Sequence, residues 1–298
     1  FSPVTSIISL FIIILFSNIS SKSDENNIKY YSNDEGILSI MYHRFNESKY
    51  PSTNIQMDIF KKHIQIIKNS GFNFHNPYKF IEQFNTIKLK KEILITIDDA
   101  FESFYFEAWP YLKKNKIPFI LFVSTEPVGK NGYMTWDQIR EIEKESFALI
   151  GHHSHSHDYL IDETNDKFIS DIKKANKIFL RELGYIPNLF SYPFGEYSKF
   201  MRDYISKNFE FAFGQHSGVI DVNKDKYELP RFPINEKYGE IKRFNSIINY
   251  FPLEYKKLLP LEKKLTKLNN PPRFIVEFFK EQKNLNNINC YSNEANQW

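Results

Sequence analysis

The chain has 298 residues, and its 39 Lys and Arg against 36 Asp and Glu leave a net charge of +3 spread along the sequence. That balance excludes a nucleic-acid grip or an anionic-membrane surface as the organising function, because both need a concentrated basic patch. The single cysteine, Cys290, excludes an intrachain disulfide framework and a Cys-rich zinc site, so any metal must be held by His and carboxylate.

The chain opens on the apolar run SIISLFIIILFSNIS. It has the length of a secretion signal rather than the ~20 apolar residues of a transmembrane helix. Residues 1–24 are therefore read as a signal peptide with its start missing, or a membrane anchor, and residues 25–35 as a polar linker. Export follows: a periplasmic, cell-envelope or secreted protein whose only membrane contact is this segment.

From residue 36 short apolar runs alternate with amphipathic helices. ILSIMYH predicts a strand, and NIQMDIFKKHIQIIKNSG a helix with Phe60, Ile64 and Ile67 on one face and Gly71 as its stop. FNFH, the helix-like NPYKFIEQF, the strand EILITI, a helix over FYFEAWPYLKKN and the strand PFILFVS come next. TWDQIREIEKE starts with Thr135 and Gln138 at capping-box spacing. FALI returns as a strand, and DETNDKFISDIKKANKIFLRELG carries Phe168, Ile172, Ala175 and Phe179 along one stripe that Gly184 ends. LFSY, a helix near KFMRDYISKN, EFAF and the helix-like YGEIKRFNSIIN complete about seven βα units. Such alternation predicts an α/β fold with a parallel sheet covered on both faces, closed or open, over residues 36–251. Residues 252–298 break the pattern, with PPRFIVEFF and NINCYSNE as β segments of an appended extension, complete or cut short.

In parallel α/β folds functional groups gather at the carboxyl ends of strands. Three places qualify: Asp98 and Asp99 after EILITI, the cluster GHHSHSH after FALI, and the turn SYPFGEYS after LF. Two imidazoles four residues apart and a carboxylate from a neighbouring strand hold a catalytic divalent ion with a position open for water. Such an ion brings the pKa of water towards about 7 and polarises a carbonyl. Adjacent acids then divide the work, one binding the ion and the other accepting the proton.

These same stretches carry a resemblance. TIDDAF is similar to the T-F-D-D motif of the polysaccharide deacetylases of carbohydrate esterase family 4, the NodB-homology group. GHHSHSHDYL resembles their H-[ST]-x-x-H motif, SYPFGEYS stands in the place of their third motif, and MYHRF and MTWDQIREI also fit the order, so that residues 36 to 250 are covered. The resemblance implies a distorted (β/α) barrel and removal of N-acetyl groups from an amino-sugar polymer, an N-acetylated glycan. It puts Asp98 in the general base's place and Asp99, His153 and His157 in those of the metal ligands. The ion implied is zinc by default, although cobalt, nickel or iron suits the same set. The backbone N–H of Phe194 takes the oxyanion donor's place, a contribution of roughly 3 kcal/mol in sites of this type.

Three departures stand out. Ser191 occupies the position where the family has an Arg that fixes the base, and Arg231 in ELPRFPI is expected to reach Asp98 instead. No Asp-x-Trp motif is visible. Nor is there an L-x-x-H-D motif, so His216 in AFGQHSG is taken as the replacement acid. YPFGEY and the LPR run resemble the exported poly-β-1,6-N-acetylglucosamine deacetylase branch of the family.

The remaining residues carry milder expectations. His43 borders the substrate or satisfies a buried polar contact. Tyr192 and Phe194 stack on a sugar or pack the turn. His152 and His155 lie on the loop surface or give supporting hydrogen bonds, and His63, His75 and Trp136 are structural. Two other functions keep the same residues: a metal-dependent amidase on a small molecule or lipid-linked sugar, and a non-catalytic carbohydrate-binding relative.

Overall fold

The computed structural model describes residues 35–84, 91–253 and 255–278. The expected leader at 1–24, the linker up to residue 34 and the predicted β segment around Cys290 lie outside the described residues. No helix among the described residues is long and apolar enough to cross a membrane.

The strands are β1 (Ile37–Tyr42), β2 (Arg44–Phe45), β3 (Asn54–Ile55), β4 (Asn73–Phe74), β5 (Glu92–Asp98), β6 (Phe119–Val123), β7 (Ala148–His152), β8 (Leu189–Ser191), β9 (Phe211–Phe213), β10 (Phe232–Pro233), β11 (Lys257–Leu259) and β12 (Ile275–Glu277). The helices are α1 (Met57–Asn69), α2 (Phe80–Phe84), α3 (Trp109–Asn115), α4 (Trp136–Glu143), α5 (Asn165–Leu183), α6 (Lys199–Ile205) and α7 (Ile241–Ile247). The eight-stranded sheet runs β10-β1-β5-β6-β7-β8-β9, with β4 joining the start of β5. Every pairing in it is parallel.

The segment leading into β10 nearly closes this sheet. Leu229 bonds to β9 through Ala212 and Gly214, and β10 pairs with β1 at Ile40 and Met41. The result is a distorted (β/α) barrel. The short antiparallel pair β11–β12 follows it as a β-rich extension.

Side chains alternate across each strand, and two packed clusters show which way they go. Ile93, Ile95 and Ile97 of β5 join the outer cluster beneath α1, α3 and α4, together with Phe60, Leu112 and Ile139. Leu94 joins Ile120, Phe122, Leu189 and Phe213 on the inner, concave face. By the same period of two, Thr96 and Asp98 of β5, Gly151 of β7 with His153 just beyond it, and Ser191 of β8 turn inward at the carboxyl end. A continuous apolar run with both faces buried thus delivers its terminal acid to the inside of the barrel.

Local signals set the helix ends. Thr135 and Gln138 form both capping-box bonds at α4, and Gly184 ends α5 in the left-handed region at φ 82°. The predicted helix over FYFEAWPYLKKN differs: a wide π turn at Phe104–Ala108 precedes α3. Pro110 has no N–H to offer the Phe106 carbonyl, so the usual ladder cannot continue through that turn. His63, predicted structural, is buried in α1 and stacks on Phe244 of α7 at 3.8 Å.

Candidate active site

Asp98 is fully buried, and burial alone would raise its pKa. The opposing influence comes from Arg231, whose two terminal nitrogens donate to Asp98 Oδ1 at 2.7 Å and Oδ2 at 2.8 Å. With His153 nearby, this charge holds the carboxyl below its ordinary range. Arg231 is itself buried and fixed: Nε donates to Gly214 O at 2.8 Å and the fork also reaches Thr96 Oγ1 and Ser191 Oγ. Ser191 therefore leaves space in the third motif for an arginine arriving from another strand.

Asp99 leaves the strand in the left-handed region at φ 75°, which swings its carboxylate away from Asp98 and towards the His loop. Its Oδ1 lies 3.3 Å from His153 Nε2 and 3.0 Å from His157 Nε2. The ligand atoms of Asp99, His153 and His157 all fall within 4.8 Å of one another. His153 Nδ1–H donates to Ser191 O at 2.7 Å, which fixes the tautomer and points the Nε2 lone pair at the acid. Asp99 Oδ1 and His153 Nε2 are buried without a hydrogen bond. Buried acceptors of that kind normally have a partner, and a divalent cation is the partner that all three residues fit. Burial would raise the Asp99 pKa, but the two imidazoles bring it well down; Asp99 in turn raises that of His157 against the effect of burial.

The loop holding the imidazoles is anchored from α5 by a residue that sequence reading passed over. Asp171 of α5 accepts from the backbone N–H groups of His155 and Ser156 at 2.8 and 3.0 Å. Only the helical stripe of α5 was legible, and Asp171 lies off it. His155 bonds Thr125 Oγ1 through Nδ1 at 2.7 Å, a supporting contact. His152 is in the core rather than on the loop surface, packed among Phe179, Phe190 and Phe209, and its pKa is lowered to about 3 mainly by burial.

The turn after β8 divides its residues. Phe194 has φ 57° and lies beside His157, ring centroids 4.8 Å apart. Its N–H has no acceptor among the described residues, whereas those of Gly195 and Glu196 bond to Tyr192 O and Pro193 O. Tyr192, expected either to stack on a sugar or to pack the turn, is fully buried and packs. It follows inward-facing Ser191 by one residue, so it points outward and is buried between Phe190 and Tyr197.

Two other imidazoles, His216 and His43, stand differently towards the acids. His216 is not beside the acids: its ring faces a separate cavity, and the protein around it, with Lys263, Lys224 and Arg231, lowers its pKa to about 4. His43 follows β1 on the inward-facing register. Burial lowers its pKa against the pull of Asp99 and Asp98, and its buried Nδ1 has no hydrogen-bond partner. His43 is thus the further imidazole within the field of both acids.

A family model described as polysaccharide deacetylase matches residues 86–210, which span Asp98, Asp99 and the whole His loop. The chain carries a polysaccharide deacetylase domain. It is accordingly a hydrolase of that kind. The poly-beta-1,6-N-acetyl-D-glucosamine N-deacetylase of Staphylococcus aureus strain N315 is 24% identical over 259 residues, 76% of this chain and 89% of that protein. The Staphylococcus epidermidis protein of the same name is 21% identical over 248 residues, 74% and 86% of the two chains. Among solved structures, the Streptococcus pyogenes deacetylase PplD in complex with acetate shares the fold of the deacetylase domain, with a TM-score of 0.65 at 20% identity, covering 72% of this chain and 99% of that one. IcaB from Ammonifex degensii superposes with a TM-score of 0.63 at 23% identity, covering 72% and 98%.

Proposed function

We propose that the deacetylase domain removes N-acetyl groups from an exported N-acetylglucosamine polymer, of the poly-β-1,6-linked type, with a divalent metal ion held by Asp99, His153 and His157. The observation that carries this reading is the division between adjacent acids. Asp98 is neutralised by a buried arginine, while Asp99 converges with two imidazoles on a point where buried acceptors lack a partner. The names of the Staphylococcus relatives support the substrate class. Zinc suits the donor set, as do cobalt, nickel and iron. When bound, the ion would polarise the acetyl carbonyl and acidify water.

The remaining work belongs to side chains and one backbone group. Asp98, kept ionised by Arg231, accepts the proton that water loses as it attacks the acetyl carbon. The N–H of Phe194 steadies the negative charge that develops on the carbonyl oxygen. The departing sugar amine needs a proton, and His43, which lies within the field of both acids, takes the role expected of His216 by relaying to the amine the proton that Asp98 took from water.

Acetate release from β-1,6-linked N-acetylglucosamine oligomers, assayed with added zinc, cobalt, nickel or iron, tests the reading. Release is expected with at least one metal, and Asp98→Asn or Asp99→Ala should reduce it by a factor of about 100 or more. Failure to release acetate from any N-acetylated glycan with every metal would remove the reading.

A further inference from the structure

A cavity of roughly 640 Å³ opens beside the deacetylase centre, between the turn after β8, the connection from β9 to β10 and the arm that leads into β11. Gly195 of the Phe194 turn forms part of its wall, together with Tyr197, His216, Glu228, Phe251 and Tyr255. A line of contacts joins it to the metal-ligand cluster. The His157 ring touches the Phe194 ring, Phe194 touches Tyr159 at 4.9 Å, and Tyr159 Oη donates to Glu196 at the cavity's edge. These contacts put the cavity on the far side of the Phe194 turn from the metal-ligand candidates.

The wall is built in advance. Lys224 Nζ donates to Leu253 O at 2.6 Å and lies over the Tyr255 ring at 4.2 Å. Lys263 approaches Glu228 at 3.9 Å, Lys264 bonds to Ile161 O, and Glu262 accepts from the Lys199 N–H. These contacts tie the arm to the barrel. The lining carries Lys224 and Lys263 against Glu196, Asp225 and Glu228, and each acid already has a partner: Glu196 accepts from Tyr159, Asp225 pairs with Arg202 and Glu228 lies near Lys263. Neutral His216 and the Tyr255 ring, which Lys224 covers on one face only, remain as the distinctive surfaces. Aromatic planes with a few convergent polar groups, in a cleft of roughly 300 to 1,000 Å³, are the composition of a ligand site, and a neutral pyranose ring meets both demands.

We propose that this cavity is an accessory sugar subsite, in which Tyr255 and His216 hold a neutral, still acetylated unit of the glycan whose neighbouring unit lies at the metal-ligand cluster. The inference rests on the proposed deacetylation of a polymer and adds where a second unit of it binds. It also gives the C-terminal arm a task, since Tyr255 and Phe251 come from it.

Calorimetric titration with a β-1,6-linked N-acetylglucosamine tetramer, its fully deacetylated counterpart and the monosaccharide tests the subsite. The acetylated tetramer should bind tighter than the other two. Tyr255→Ala and His216→Ala should each weaken its binding, the former about tenfold, as expected for one lost aromatic face. Tyr255→Phe should retain it, and unchanged melting temperatures would show that the variants fold. Equal affinity of the wild type and a folded Tyr255→Ala protein for the acetylated tetramer would overturn the subsite. Equal affinity for the two tetramers would overturn its neutral character. Tetramer binding that depends on Tyr255 without acetate release would support the subsite and overturn the reading on which it rests.

Discussion

Asp98 and Asp99 are adjacent in the chain and opposite in circumstance. The first completes a strand and meets a guanidinium; the second turns into the left-handed region and meets two imidazoles. Ala100, Ser154, His157 and Phe194 have positive φ as well, so backbone strain of about 1 to 3 kcal/mol per residue gathers at the candidate site. Arg231→Ala would leave the buried Asp98 charge unpaired. We expect a loss of about 3 to 5 kcal/mol in denaturant unfolding and the loss of acetate release; a folded variant with near-normal turnover would rule out the role given to Arg231. A second titration lies in the outer cluster, beneath α1. His63 Nε2–H donates to Gly239 O at 2.7 Å, Nδ1 accepts from Tyr42 Oη at 3.0 Å, and burial lowers its pKa from 6.5 to about 4. The unfolded chain takes up this proton at a higher pH than the folded protein does. The stabilisation by His63 is therefore complete above pH 6.5 and disappears as pH falls towards 4, a span of about 3 kcal/mol. Urea midpoints measured between these pH values should slope less in His63→Gln than in the wild type.

At the scale of elements, the strands act as rulers. A Cβ on Gly151 of β7 would come within 2.3 Å of the Phe122 ring on β6, so only glycine lets these two strands pair at that level. His153 is two residues beyond. We expect Gly151→Ala to move Phe122 or β7, lower stability by about 1 to 3 kcal/mol and weaken metal binding, read by a fluorescent competitor. Unchanged metal affinity would show that the His loop is positioned independently of the strand. Much at this scale was legible. The Thr135 cap, the buried stripe and left-handed glycine of α5, and the apolar runs of β1, β5 and β6 are local signals. Tyr192 was less legible because LFSY does not say where the inward register lies. Ser191 faces Asp98, and so Tyr192 must face away.

For the whole molecule, the parallel barrel brings residues from separate segments to one mouth. The three metal-ligand candidates lie on two loops, and the described barrel core packs without calling on them. Metal should therefore stabilise an already folded protein. At a concentration about 100 times its Kd, zinc should contribute about 2.7 kcal/mol and raise the melting temperature, an effect that Asp99→Ala should abolish. An equal rise in that variant would place the ion elsewhere.

The sequence by itself determined the alternation of strands and helices, the pair of acids, the imidazoles at four-residue spacing and the turn at Phe194, because each is written within a few consecutive residues. Arg231, 133 residues from Asp98, was expected from its motif to reach that acid, and tertiary structure decided the two-pronged geometry in which it does so, that His43 faces the acids and that His216 faces a cavity made partly by the C-terminal arm. Those outcomes depend on which strands become neighbours and on the register in which they meet. Side chains separated by more than a hundred residues carry no periodic trace of that choice.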